Sequence, residues 1–105
     1  MKITVITQDQ LIMVDGEALQ FSFLVPSGEW AIHFDDQTGI GEVEFIDGRQ
    51  NKAINSFSVY GYLLDAYYAE SERLAEVAAI EQAEAEEAAR LEALAEEAEA
   101  VQDLK

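Results

Sequence analysis

Apolar and polar positions alternate through the first fifty residues of the chain, and then the alternation stops. "KITVIT" (2–7) puts Ile3, Val5 and Thr7 on one side of an extended segment, and "LIMV" (11–14) continues it after a turn at "QDQ". Asp15-Gly16 is a strong hairpin signal. "EALQFSFLV" (17–25) predicts a third strand with Leu19, Phe21 and Phe23 facing together, ended by the turn Pro26-Ser27-Gly28. Trp30, Ile32 and Phe34 then share one face of a strand, opposite Ala31 and His33. After "DDQTG" the chain returns through "GEVEFI", with Val43 and Phe45 on one face and Glu42 and Glu44 on the other. That is the pattern of an antiparallel hairpin with a buried face and a wet face. Asp47-Gly48 closes it, and "RQNKAI" reads as a short further strand or a loop. The expectation is a small antiparallel sheet of four or five strands over residues 1–54.

From residue 55 the period changes. Asn and Ser between Asn55 and Ser58 supply capping oxygens for a helix start. Beyond them there is no proline, and glycine occurs only at Gly61. Tyr60, Leu63, Leu64, Tyr67 and Tyr68 fall at i, i+3, i+4, i+7 and i+8, a wide apolar stripe that should close over the sheet. Past Glu70 the chain is rich in Ala and Glu, both strong helix formers. The organisation read from this is a sheet (1–54) and a long helix (55–105), of which 55–70 packs on the sheet and 71–105 forms an acidic rod. The fold class is α+β.

A heptad register runs through the rod, with Val77, Ile80, Leu91, Leu94, Ala98 and Val101 at its a and d positions. Glu84 and Glu87 fall on the same seam and break it, while nearby alanines could carry a narrower contact. Parallel self-association, a single helix that is solvated or bound to a partner, and partial disorder all remain open, as does dimer against trimer. The candidate partner-binding residues are Tyr67, Tyr68, Leu91, Leu94 and Val101.

Composition narrows the function. A chain of 105 residues is one domain's worth, and its large apolar residues concentrate before Tyr68. The net charge is −16. Such a surface repels phosphate backbones and anionic lipid, so neither nucleic acid nor membrane is an expected partner. Cysteine is absent, which removes disulfides and thiolate metal sites. The opening "MKITVITQDQ" lacks the apolar run of a secretory signal, and a soluble intracellular protein is the expectation.

Candidate chemistry is sparse. His33 is the only side chain suited to act as a neutral-pH base, but no serine or carboxylate partner is identifiable by spacing, and it sits on the expected outer face. Asp35, Asp36 and Asp47 lack the spacing of a calcium loop. "GIG" (39–41) lacks the third glycine and following helix of a phosphate-binding turn. Trp30 reads as core. No cofactor or metal is expected, and no enzyme.

The strand "IHFD" (32–35), the strand "GEVEF" (41–45), "DG" (47–48), Asn51 and the Tyr-rich helix together resemble a small β module of bacteriophage tail-associated and tail-fibre assembly proteins. The resemblance covers roughly residues 1–68, with Phe34 where a Trp is usual and Trp30 four positions earlier. It implies a non-enzymatic protein that binds a tail-fibre or baseplate component. Either a transient assembly chaperone in the host cytoplasm or a permanent virion part would fit, with the rod forming a homo-oligomer.

Overall fold

A computed structural model describes residues 1–103, with side chains as far as Glu99. Six strands are followed by one long helix: β1 (Lys2–Ile6), β2 (Leu11–Val14), β3 (Glu17–Gln20), β4 (Glu29–Asp35), β5 (Ile40–Phe45), β6 (Lys52–Ile54) and α1 (Gly61–Asp103). The strands form a single antiparallel sheet in the order β3-β2-β1-β4-β5-β6. The chain divides into two compact units, Met1–Ser71 and a second that begins at Glu72.

Two three-stranded meanders, β1-β2-β3 and β4-β5-β6, make the sheet, and β1 pairs with β4 to join them. The first turns at Asp15-Gly16, where both residues have positive φ (50° and 86°), as a two-residue turn matched to strand twist requires. The Asp15 carboxylate also accepts the Lys2 N–H at 2.8 Å, which ties this turn to the start of β1. The second turns through Asp35–Gly39. There the Asp35 carboxylate accepts the Gln37 N–H at 3.0 Å, and Gly39 N–H donates to the Asp35 carbonyl.

One face of the sheet carries the core. Registers Ile3↔Phe34, Val5↔Ile32, Val5↔Ile12 and Ile32↔Val43 align these side chains on the same side. Phe23, Phe57, Leu63 and Tyr67 close over them. Burying each Leu- or Ile-sized side chain contributes about 1.5–3 kcal/mol, so these few residues hold most of the stability of a small unit. The edge strands are short, four and three residues, and carry Glu17 and Lys52, which discourages pairing with other chains.

Two details depart from the alternation. The third strand ends at Gln20 rather than at Val25, because its partner β2 begins only at Leu11. Past that point Gln10 takes over the backbone: its carbonyl accepts the Phe21 N–H and its side-chain oxygen accepts the Phe23 N–H at 2.9 Å. Phe23 still reaches the core, but from an unpaired segment. The second departure is in β4. Glu29 pairs with Phe45 and Ala31 with Glu44, so Trp30 is an extra residue in a β-bulge. Thr7, just past β1, holds the bulge: its hydroxyl approaches the Glu29 carbonyl at 2.8 Å and the Trp30 carbonyl at 3.0 Å. The bulge reverses the parity at its start. Trp30, expected in the core, is 37% exposed, and Glu29 is buried in its stead.

The helix starts through a 3-10 turn at Ser58–Tyr60. The Ser56 hydroxyl accepts the Ser58 N–H at 3.1 Å, and Tyr60 N–H bonds back to Phe57. Within the first unit, Leu63 and Tyr67 are buried one turn apart, and Tyr60 and Leu64 pack beside them. One residue further round, Tyr68 turns outward. From Glu72 every described side chain is exposed.

Candidate partner-binding surfaces

Of the five residues singled out for partner binding, Tyr67 belongs to the core. It is 5% exposed, and its hydroxyl donates to the Glu17 carbonyl at 2.9 Å. Burial, followed by the charge of Glu17, holds its phenol above the usual pKa. Tyr68 is the outward member, 47% exposed, and meets the Tyr67 ring edge-on at a centroid distance of 5.5 Å. Leu91 and Leu94 are both more than half exposed. The side chain of Val101 lies outside the described residues.

The second unit presents a longer strip than Leu91 and Leu94 alone. Leu74, Val77 and Ile80 are exposed as well. Val77, Ile80, Glu84, Glu87, Leu91 and Leu94 occupy successive a and d heptad positions, so aliphatic pairs bracket two carboxylates on one face. Glu87 is within 3.6 Å of the Arg90 guanidinium, a weak surface pair.

On the outer face of the sheet, His33 stands between Thr4 on β1 and Glu42 on β5. Its Nδ1 lies 3.4 Å from the Thr4 hydroxyl, outside the roughly 2.6–3.2 Å of a working base–nucleophile bond. Glu42 is engaged by the Asn51 amide. Lys2, Thr4, His33, Asp35, Ile40 and Glu42 line an open depression here. Asp47 is tied to Arg49 by side-chain and backbone bonds that hold its carboxyl below the usual range. The same guanidinium lies 4.1 Å above the Phe45 ring and donates to the Ser27 carbonyl.

The residue that sequence reasoning missed is Glu29. It is 5% exposed, and its Oε2 has no hydrogen-bond partner among the described residues. It lines a cavity of about 90 Å³ with Pro26, Ser27, Val59, Tyr60 and Tyr62. Burial and then the Glu29 charge raise the pKa of both phenols. Tyr62 is anchored by a 2.9 Å bond from its hydroxyl to the Leu24 carbonyl. Strict alternation assigns Glu29 to the outer face with Ala31 and His33, so only the bulge reveals it.

These features belong to an α+β protein built from a six-stranded antiparallel sheet and one long C-terminal helix. Comparison with protein-family models, with curated proteins and with solved structures gave no match. Among the described residues, no helix is long and apolar enough to cross a membrane.

Proposed function

We propose that this chain is a non-catalytic binding protein that receives a basic amphipathic helix along the acidic helical strip of its second unit. The carrying observation is the exposed aliphatic strip Val77, Ile80, Leu91 and Leu94, interrupted by Glu84 and Glu87. A parallel pair of identical helices would set Glu84 against Glu84 and Glu87 against Glu87, removing like charges from water together. A partner with Lys or Arg at those two layers and apolar residues at the flanking ones satisfies both parts of the strip, and opposite charge also speeds its encounter. A different chain is therefore a better occupant than a second copy, in place of the homo-oligomer that the heptads alone suggest.

The resemblance of residues 1–68 to phage tail-associated proteins supports a tail-fibre or baseplate component as the source of that helix, with this chain as an assembly accessory. The test is a photoreactive amino acid at Leu94 in the full chain, co-expressed with candidate tail-fibre and baseplate proteins. A cross-link to a basic helical segment of one of them is the expected result. Cross-links confined to other copies of this chain would overturn the proposal in favour of self-association.

A further inference from the structure

We propose that the cavity at Glu29 is a receptor for a primary alkylammonium group, of the kind that ends a lysine side chain. It lies within Met1–Ser71 and does not depend on the helical strip.

A buried carboxylate is costly unless an opposite charge or several donors meet it. Glu29 is buried, and its Oε2 has no hydrogen-bond partner among the described residues. The space beside it, about 90 Å³, exceeds the ~10–15 Å³ that one water needs, and leaves room for a small cationic head. Tyr60 and Tyr62 contribute aromatic walls, which attract cations. Those walls are held in place: Tyr62 bonds to the Leu24 carbonyl, and Arg49 takes the Ser27 carbonyl. The strongly negative chain adds a long-range attraction for cations.

The lining also selects among cations. Glu29 is its only carboxylate, and it has no histidine, whereas a divalent metal asks for several oxygen or nitrogen ligands. A guanidinium brings five donors in a flat fork, a broader group than a compact ammonium head. An ammonium carries three donors on a compact head and fits a single carboxylate beside aromatic rings.

The experiment is an amide-resolved NMR titration of the full chain with n-butylammonium chloride, run beside sodium chloride and guanidinium chloride at equal ionic strength. The proposal expects saturable shifts at Glu29, Tyr60 and Tyr62 with butylammonium alone. In Glu29→Gln the affinity should fall by about tenfold or more, since a buried charge partner is lost. Val59→Trp, at an exposed position on the cavity wall, should abolish the response without touching the core, and so stands in if Glu29→Gln does not fold. Acetyl-lysine methylamide separates the sources. Tighter binding than butylammonium points to the lysine of a protein partner, and equal binding points to any small amine. Shifts that fail to saturate, that sodium chloride reproduces, or that persist in both variants would overturn the assignment.

Discussion

Glu29 lies opposite Phe45 across β4 and β5, on the face of the sheet that carries the core, while the adjacent Trp30 has no opposite residue. The pairing sets a carboxylate where an aromatic ring was expected, and the consequences can be measured. Replacing Glu29 by Leu removes a buried carboxylate whose Oε2 has no hydrogen-bond partner among the described residues, and should stabilise the fold by about 1–3 kcal/mol. Urea unfolding should show a higher midpoint at unchanged slope. A lower midpoint would mean that Glu29 has a stabilising partner in solution.

Trp30 reports on the same bulge from the other side. Because it is 37% exposed and its indole N–H donates to the Gln8 side chain at 3.1 Å, its fluorescence should be red-shifted and readily quenched by acrylamide. Trp30→Ala should cost no more than about 1 kcal/mol, whereas Ile32→Ala, from a fully buried side chain, should cost ~2–5 kcal/mol. Equal losses would place the indole in the core.

Gly41 and Gly61 should respond to alanine with opposite signs. A Cβ at Gly41 would lie 2.4 Å from the His33 carbonyl oxygen and 2.7 Å from the Phe34 ring, so β4 and β5 would have to separate there. Gly41→Ala should destabilise by about 1–3 kcal/mol, the usual scale of overpacking. At Gly61 a Cβ meets nothing within 4 Å, and the backbone is already helical with φ −56°. Gly61→Ala should stabilise by roughly 0.5–1 kcal/mol through helix propensity. Thermal unfolding of the two variants checks both.

Tyr67 predicts an alkaline limit. Its pKa is raised in the folded protein, first by burial and then by Glu17, so the fold holds the phenolic proton more tightly than the unfolded chain does. The stability from this group is complete below the unfolded value of about 10 and is lost as pH climbs through the higher folded value. Denaturant midpoints should therefore fall above about pH 10, and Tyr67→Phe should flatten that fall. A fall of equal steepness in Tyr67→Phe would assign it to other groups.

For the helical strip, Glu84 and Glu87 decide the occupant. The full chain should sediment as a monomer at neutral pH, and the double variant Glu84→Leu, Glu87→Leu should form dimers or trimers by restoring an unbroken apolar seam. A monomeric double variant would show that something other than these carboxylates keeps the helices apart.

Much of this fold was legible from residues that act locally. The Asp15-Gly16 turn, the "DDQTG" loop, the inward set Ile32, Phe34 and Val43, and a helical start near Ser58, where the 3-10 turn that leads into α1 begins, all follow from turn chemistry and periodicity. The heptad positions of Val77, Ile80, Leu91 and Leu94 were legible too, but not what covers them. What only the tertiary structure decided depends on a neighbouring strand. The third strand stops at Gln20 because β2 offers no further ladder, and the choice between Tyr67 and Tyr68 follows from where the sheet lies beneath the helix. Trp30 and Glu29 exchange faces because Thr7, more than twenty residues earlier, donates to two successive carbonyls and makes room for one extra residue. Side-chain alternation along one strand has a period of two, and a single inserted residue in the pairing inverts it; a strand's own sequence does not say what its partner will accommodate.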